Sequence, residues 1–441
     1  DMRLFRQELF KIINPLVLAV LAVLGVVYFF LFASFSIEYF SNGENAKALF
    51  QLSSSWAQRY GPTLEPEERA ALDGQREKML EEFSSLLAGF AQRRLASLQE
   101  GYDYDMSHGY PFDWEEWNRD VAFYQNLPFH DYNSFLAYSQ AALEYQERNG
   151  IEDWNTLQEA YPYAGTNGPI PEVTNYYQIQ ALDSFLEAYD SLEHNSYYQT
   201  AAFQAAPQPL QERIRALDAG GRGYLPQSVL DSTSQYAQHL ALWVVLSVVL
   251  LLSPTLVRDR LHRMRPQQWA SRQGRVRVLQ AQMAAALVSA LVLTVVNLAA
   301  YALPYLSQGP LCFRDFSLYN RYSGALFPWF DWSFGAYLLV LVGMCLLLGL
   351  GAGALTVFLS QYSGNYVAML LKAVPLFLLA GALFAPWVMK YAFFNRPVLA
   401  GGTAALFPGA ELLCVLALLA LGAALCALAC WRQGKRELLG P

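Results

Sequence analysis

The sequence predicts an all-α polytopic membrane protein, with six transmembrane helices and a large helical extracytoplasmic domain inserted between helices 1 and 2. Three observations predict it. The chain of 441 residues is 54% hydrophobic and only 15% charged, with a mean hydropathy of +0.18, whereas soluble proteins carry nearer a quarter charged residues. Six apolar runs each approach the ~20 residues a helix needs to cross a ~30 Å hydrocarbon core. Charge is also segregated along the chain. Between Ser36 and Gln238 lie 30 of the 37 acids but only 12 of the 30 bases, whereas Arg258 to Arg277, RDRLHRMRPQQWASRQGRVR, carries seven arginines against one acid, Asp259. A short, densely basic loop between two apolar runs marks the cytoplasmic side, and it orients everything else.

Residues 1–14, DMRLFRQELFKIIN, place Leu4, Phe5, Leu9, Ile12 and Ile13 on one helical face and Arg3, Arg6, Gln7 and Lys11 on the other. This suits a helix lying on the cytoplasmic membrane surface; a frayed positive flank to the first span is the alternative. The first span is expected at 15–35, with Pro15 tolerated in the first turn. Its apolar core of ~20 residues exceeds the 7–15 of a cleaved signal peptide, so it is read as retained.

The insert, 36–238, reads as helical. Glu65 to Gln99 predicts one long helix or two, with charges at i, i+4 spacing. Further helices are expected after Asp113 and Asp131, each a plausible N-cap, and in the run beginning PEVTNYY. Gly220, Gly221 and Gly223 suggest a turn. The helix that follows, from about Leu225, is expected to run unbroken into the second span, 239–257.

The basic loop occupies 258–278, and the third span 279–303. An aromatic outer connection, 304–332, precedes the fourth span, 333–359. After the uncharged turn Ser360 to Asn365 comes the fifth span, 366–388. A second outer connection, 389–411, leads to the sixth span, 412–431, and a basic tail, 432–441. Six spans return both termini to the side of the basic loop and put the acidic insert outside.

Chemistry-bearing patterns are sparse. There is no G-x-x-x-x-G-K-[ST], H-E-x-x-H or G-x-S-x-G, so neither a Walker-type phosphate cradle nor a hydrolytic motif is indicated. The chain is not expected to be an enzyme. His108, His130, His194, His239 and His262 are scattered, and the five cysteines suggest neither a disulfide framework nor a thiol metal site. Acidic pairs such as Glu67/Glu68, Glu81/Glu82 and Glu115/Glu116 read as solvated helix faces. Within the spans, the run GLGAG sets Gly349 and Gly353 at small-xxx-small spacing for close helix approach, and Pro254 and Pro375 are candidate kinks. Asn297 is a lone amide, suited to interhelical bonding or to a pathway. Lys372 lies about a turn and a half from a span end, where snorkelling competes with a functional intramembrane charge.

The basic loop has two readings. Its arginines fix topology and meet anionic lipid heads, or HRMRPQQWASRQGR forms a short helix, anchored by Trp269, that docks on a soluble partner. At this point the chain resembles the permease subunits of ABC-2 type transporters. RLFRQELFKI is similar to that family's amphipathic entry helix, with Glu8 at a frequent acidic position. RDRLHRMRPQQWASRQGRVRVLQAQMAA is similar to its segment between spans two and three, with Asp259 where a glutamate is common. The resemblance covers the membrane part, and the insert itself matches no pattern.

The resemblance implies a permease of an ATP-binding cassette exporter in a bacterial plasma membrane, of the subtype with a large extracellular domain. It moves a peptide, lipid or other amphiphile outward. It implies a second permease copy and two ABC ATPase subunits that bind ATP and Mg, with no cofactor or metal in this chain and no nucleic-acid partner. A coupling helix with Asp259, Arg260, Arg263, Arg265, Trp269, Arg272 and Arg275 would dock the ATPase, and Arg3, Arg6, Glu8 and Lys11 would form the entry-helix site. Two alternatives remain: a mechanotransmission subunit, and a sensing or resistance subunit whose extracellular domain binds a peptide or lipid-linked ligand without a conduit.

Overall fold

A computed structural model describes residues 2–40, 46–164, 170, 173–187, 201–205, 208–219, 225–262, 264, 274–318, 327–395 and 408–438. Among them the chain is helical apart from a two-residue antiparallel pairing, Phe327–Pro328 with Phe394–Asn395, and one isolated bridge, Ser317 with Ser333. Contacts divide it into two compact units. One comprises Asp1–Phe50, Ala57–Pro62 and Ser191–Pro441; the other comprises Gln51–Trp56 and Thr63–Asp190. The second is smaller than the expected insert, because the chain on both sides of it groups with the spans.

Among the described residues, six helices long and apolar enough to cross a membrane lie in the first unit: Pro15–Glu38, Gln227–Leu261, Gly274–Leu306, Phe334–Gln361, Tyr366–Met389 and Ala410–Lys435. The number matches expectation, but several run longer than the apolar stretches alone indicate. Hydrogen-bonded helix continues past the hydrocarbon-like residues where nothing stops it. The second span is the clearest case. It begins at Gln227, twelve residues before the expected start at 239, as foreseen for a helix entering from the insert.

Spans two and four are the most buried and form the centre, while spans one, five and six are largely exposed along their apolar faces. Small residues set the packing. A Cβ at Gly349 would stand 3.2 Å from Thr294 Cβ, and one at Gly353 2.9 Å from Ala290 Cβ, so both expected glycines bring span four against span three. Gly422 of span six plays the same part against Ala354. In membranes, such close approach substitutes van der Waals contact for the missing hydrophobic drive.

Two spans depart from regular α-helix. Residues Phe29–Ala33 in span one and Phe377–Phe384 in span five are wound as π-helix. The second stretch follows Pro375, whose missing N–H already interrupts the hydrogen-bond ladder. Span two breaks at Ser253 and Pro254 and resumes at Thr255. Both prolines singled out in the sequence therefore mark irregular turns.

The second unit is built on one 43-residue helix, Pro66–His108, which settles the choice between one helix and two. Pro66 occupies its first turn, a Glu65/Glu68 capping box starts it, and Gly109, at φ 72°, ends it. Phe83, Leu87 and Phe90 on this helix pack against Phe129, Tyr132, Phe135 and Ile179. Arg76 grips Asp183 with two bonds, Nε to Oδ1 at 2.5 Å and Nη2 to Oδ2 at 3.3 Å. Asp113 and Asp131 cap helices Trp114–Gln125 and Tyr132–Asn149, as expected. The run after PEVTN forms Tyr176–Glu187. The Gly220–Gly223 turn lies outside the described residues.

Candidate functional site

The basic end of the bundle carries a buried polar knot. The entry helix, Met2–Ile12, turns Glu8 inward between Leu9 and Ile12, leaving Arg3 and Arg6 exposed. Glu8 is 6% exposed and Asp259, at the end of span two, 3%. Between them stands Gln282 of span three, also buried. Its Nε2 donates to Asp259 Oδ2 at 2.8 Å and, more weakly, to Glu8 Oε2 at 3.4 Å. Lys11 Nζ lies 2.5 Å from Glu8 Oε1 and 3.9 Å from Asp259 Oδ2.

Removing an ion from water costs several kcal/mol even after relaxation, and this is offset only when the group is paired and hydrogen-bonded. Two carboxylates facing each other would be untenable alone. Lys11 supplies the opposite charge and Gln282 the donors, so the entry helix, span two and span three are tied through one centre. Arg258 donates to the Lys11 carbonyl, and Arg260 Nη2 donates to the Gln361 carbonyl at 2.8 Å, adding the end of span four.

A second link lies beside it. The break at Pro254 leaves backbone groups of span two without helical partners. Ser360 of span four bonds to both sides of the break: its hydroxyl donates to the Ser253 carbonyl and accepts from the Leu256 N–H, each at 3.1 Å. Lys372 of span five reaches the Tyr362 carbonyl at 2.9 Å and Ser363 Oγ at 3.3 Å. Its charge thus meets the carbonyl end of span four, where the helix dipole is negative.

Asn297 is held within the bundle rather than at this end. Its Nδ2 donates to Ser247 Oγ at 2.7 Å, and its Oδ1 accepts from Trp243 Nε1 at 3.1 Å. Those residues also line an apolar cavity of about 480 Å³ among spans one, two and three.

Of the residues singled out in the sequence, Glu8, Lys11 and Asp259 are brought together, with Arg260 adjoining. Arg275 is half-buried at the start of span three. Arg263, Arg265, Trp269 and Arg272, with the expected short helix, lie outside the described residues. Gln282, Ser360 and the buried Glu411, which accepts from the Phe393 N–H at 3.3 Å, were missed. Gln282 had a signal: it shares a helical face with Leu279, Met283 and Ala286, where an amide needs a partner.

Among the described residues no cluster of three or more His, Cys, Asp or Glu could hold a metal ion. The architecture is that of a multi-pass membrane protein whose second span ends in Arg258, Asp259 and Arg260, bonded to the entry helix, span three and span four. The chain belongs to the ABC-2 family transporter proteins, whose family model matches residues 113–428. It is therefore a transporter permease, and the family implies an ABC ATPase partner. The match reaches well into the insert but does not include the entry helix. No curated protein and no solved structure matches the chain.

Proposed function

We propose that the chain is the permease of an ATP-driven exporter, working as two copies with two ATPase subunits that hold ATP and Mg. In this reading both termini and the loop 258–278 are cytoplasmic, and residues 36–238 are extracellular. The ATPase docks on that loop, through Arg263, Arg265, Trp269, Arg272 and the flanking Arg260 and Arg275. Asp259, being buried, acts by fastening the loop to the bundle. The cargo is an amphiphile such as a peptide or lipid, a class that suits the apolar cavity bearing Asn297 and Ser247.

The observation that carries this reading is the Glu8–Lys11–Gln282–Asp259 knot. A displacement applied where the basic loop leaves span two, at Arg258–Arg260, reaches span three and the entry helix through charge-assisted contacts. Such rigid coupling is what alternating access by rocking bundles requires. Six helices of membrane length also favour a conduit over the four-span organisation of force-relaying subunits.

The test is co-purification with the cognate ATPase. Replacing Arg260, Arg263 and Arg265 with glutamate should abolish association while the permease still folds. Because Arg260 also holds the Gln361 carbonyl, Arg263→Glu with Arg265→Glu alone should give the same loss. Unchanged association in both would remove the docking claim.

A further inference from the structure

The second unit carries an aromatic cluster that belongs to no buried core. It sits where helix Pro66–His108 turns at Gly109 into helix Trp114–Gln125. Tyr102, Phe112, Trp114 and Trp117 touch one another in all six pairs, with ring centroids 5.1–6.2 Å apart. On the same turn Tyr104, His108 and Tyr110 stack, with centroids 4.2–6.2 Å apart. None of these rings is buried. Tyr104, Met106, Tyr110 and Trp114 are 50–56% exposed.

The charge around these rings is mostly negative, with Arg119, beside Glu116, the nearby exception. From Glu100 to Glu116 the chain has six acids, Glu100, Asp103, Asp105, Asp113, Glu115 and Glu116, and neither lysine nor arginine. Asp113 caps the second helix through the N–H groups of Glu115 and Glu116, Asp103 accepts from Gln99, and Glu116 pairs with exposed Arg119 at 3.8 Å; these contacts do not call for six acids on one turn. Folding gains little from leaving large aromatic surface wet or from gathering like charges.

We propose that this helical turn is a docking site for a cationic amphipathic peptide segment. Its apolar side chains would cover Tyr104, Met106, Tyr110 and Trp114. Its lysines or arginines would lie over the ring faces, which attract cations through their quadrupole, and against the carboxylates. The same field repels an anionic membrane surface, so a lipid headgroup layer is the wrong occupant. The proposal does not rest on the transport reading, since a sensing subunit would use the same surface.

The test uses the full chain in phosphatidylcholine nanodiscs, with a labelled Lys/Leu amphipathic peptide, its Glu/Leu counterpart, and anionic phosphatidylglycerol vesicles as probes. The Lys/Leu peptide is expected to bind, and to bind less tightly as salt rises. Tyr104→Ala with Trp114→Ala should weaken it roughly tenfold or more, the scale of one or two lost cation–ring contacts. Asp103→Asn, Asp105→Asn, Glu115→Gln and Glu116→Gln together should weaken it and flatten the salt dependence. All but half-buried Asp105 are exposed, and unchanged thermal melting separates lost docking from lost folding. Equal binding by both variants, equal binding of the Glu/Leu peptide, or preferential capture of the anionic vesicles would overturn the proposal. Association with the ATPase is read separately and should not change.

Discussion

Gln282 Nε2 and Asp259 Oδ2 are 2.8 Å apart, in a site where both side chains are almost fully buried. An amide is the only neutral side chain that donates two protons here while adding no charge. Gln282→Leu keeps the volume and removes the donors. The expected loss is about 1–3 kcal/mol, the usual cost of an unsatisfied buried acceptor. Lys11→Met should cost more, about 3–5 kcal/mol, because it removes the cation set between two buried carboxylates. Thermal unfolding in detergent checks the order, and limited proteolysis near residue 14 should report a loosened entry helix in both.

Ser360 makes a second prediction. Ser360→Ala removes the hydroxyl that bonds both the Ser253 carbonyl and the Leu256 N–H, and should lower stability by about 1–3 kcal/mol for the two bonds together. Hydrogen exchange at Leu256 should accelerate while exchange in span three stays as it was.

Gly349 offers a test by rescue. A methyl there falls well inside contact distance of the Thr294 hydroxyl and 3.2 Å from its Cβ. Gly349→Ala should therefore destabilise by about 1–3 kcal/mol, and Thr294→Ala should recover part of that loss. A double-mutant cycle with no coupling would place the two helices differently.

Asp131 sets an acid limit for the second unit. The Ser134 N–H, and then its hydroxyl, hold the Asp131 carboxyl below its ordinary value of 3.8. A group depressed in the folded state contributes stability above the unfolded value and loses it as pH falls through the folded one. The contribution should thus be constant at neutral pH and fade only below about pH 4. Asp131→Ala should cost about 0.5–2 kcal/mol at pH 7, as caps do, with the difference from the parent chain shrinking in acid.

Cys312 bears on sidedness. It lies between the third and fourth spans, and burial pushes its thiol up to about 11. Only the thiolate reacts, so at pH 7 roughly one molecule in ten thousand is reactive at any moment. Maleimide labelling from outside should be slow at pH 7 and rise about tenfold per pH unit. Labelling from the side of the C-terminal tail instead would reverse the proposed orientation.

Much of this was legible in the sequence, and the reason differs by feature. The six spans were readable because twenty apolar residues leave a backbone little else to do in lipid. The caps at Asp113 and Asp131 were readable because the signal is local. The knot was half legible: Glu8 and Asp259 stood out as acids among bases, but Gln282 and Ser360 meet their partners only through tertiary packing. The length of Pro66–His108 was ambiguous because Gly74, Gly89 and Gly101 weaken helix propensity without breaking it. The exposed rings at Tyr102–Trp117 were indistinguishable from core aromatics, since composition does not say which side of a helix finds a neighbour.

The two π-wound stretches lie in spans one and five, which are among the least enclosed, and leave spans two and four regular through their middles apart from the Pro254 break. A wide turn carries one residue too many for its length, and that surplus is able to migrate along a helix turn by turn. Such a shift would rotate only the residues it passes, by roughly a quarter of a circle or more. Spans one and five therefore carry an irregular turn that the middles of the central pair lack. A sliding or gating surface would find its bearing there, not at the rigid axis.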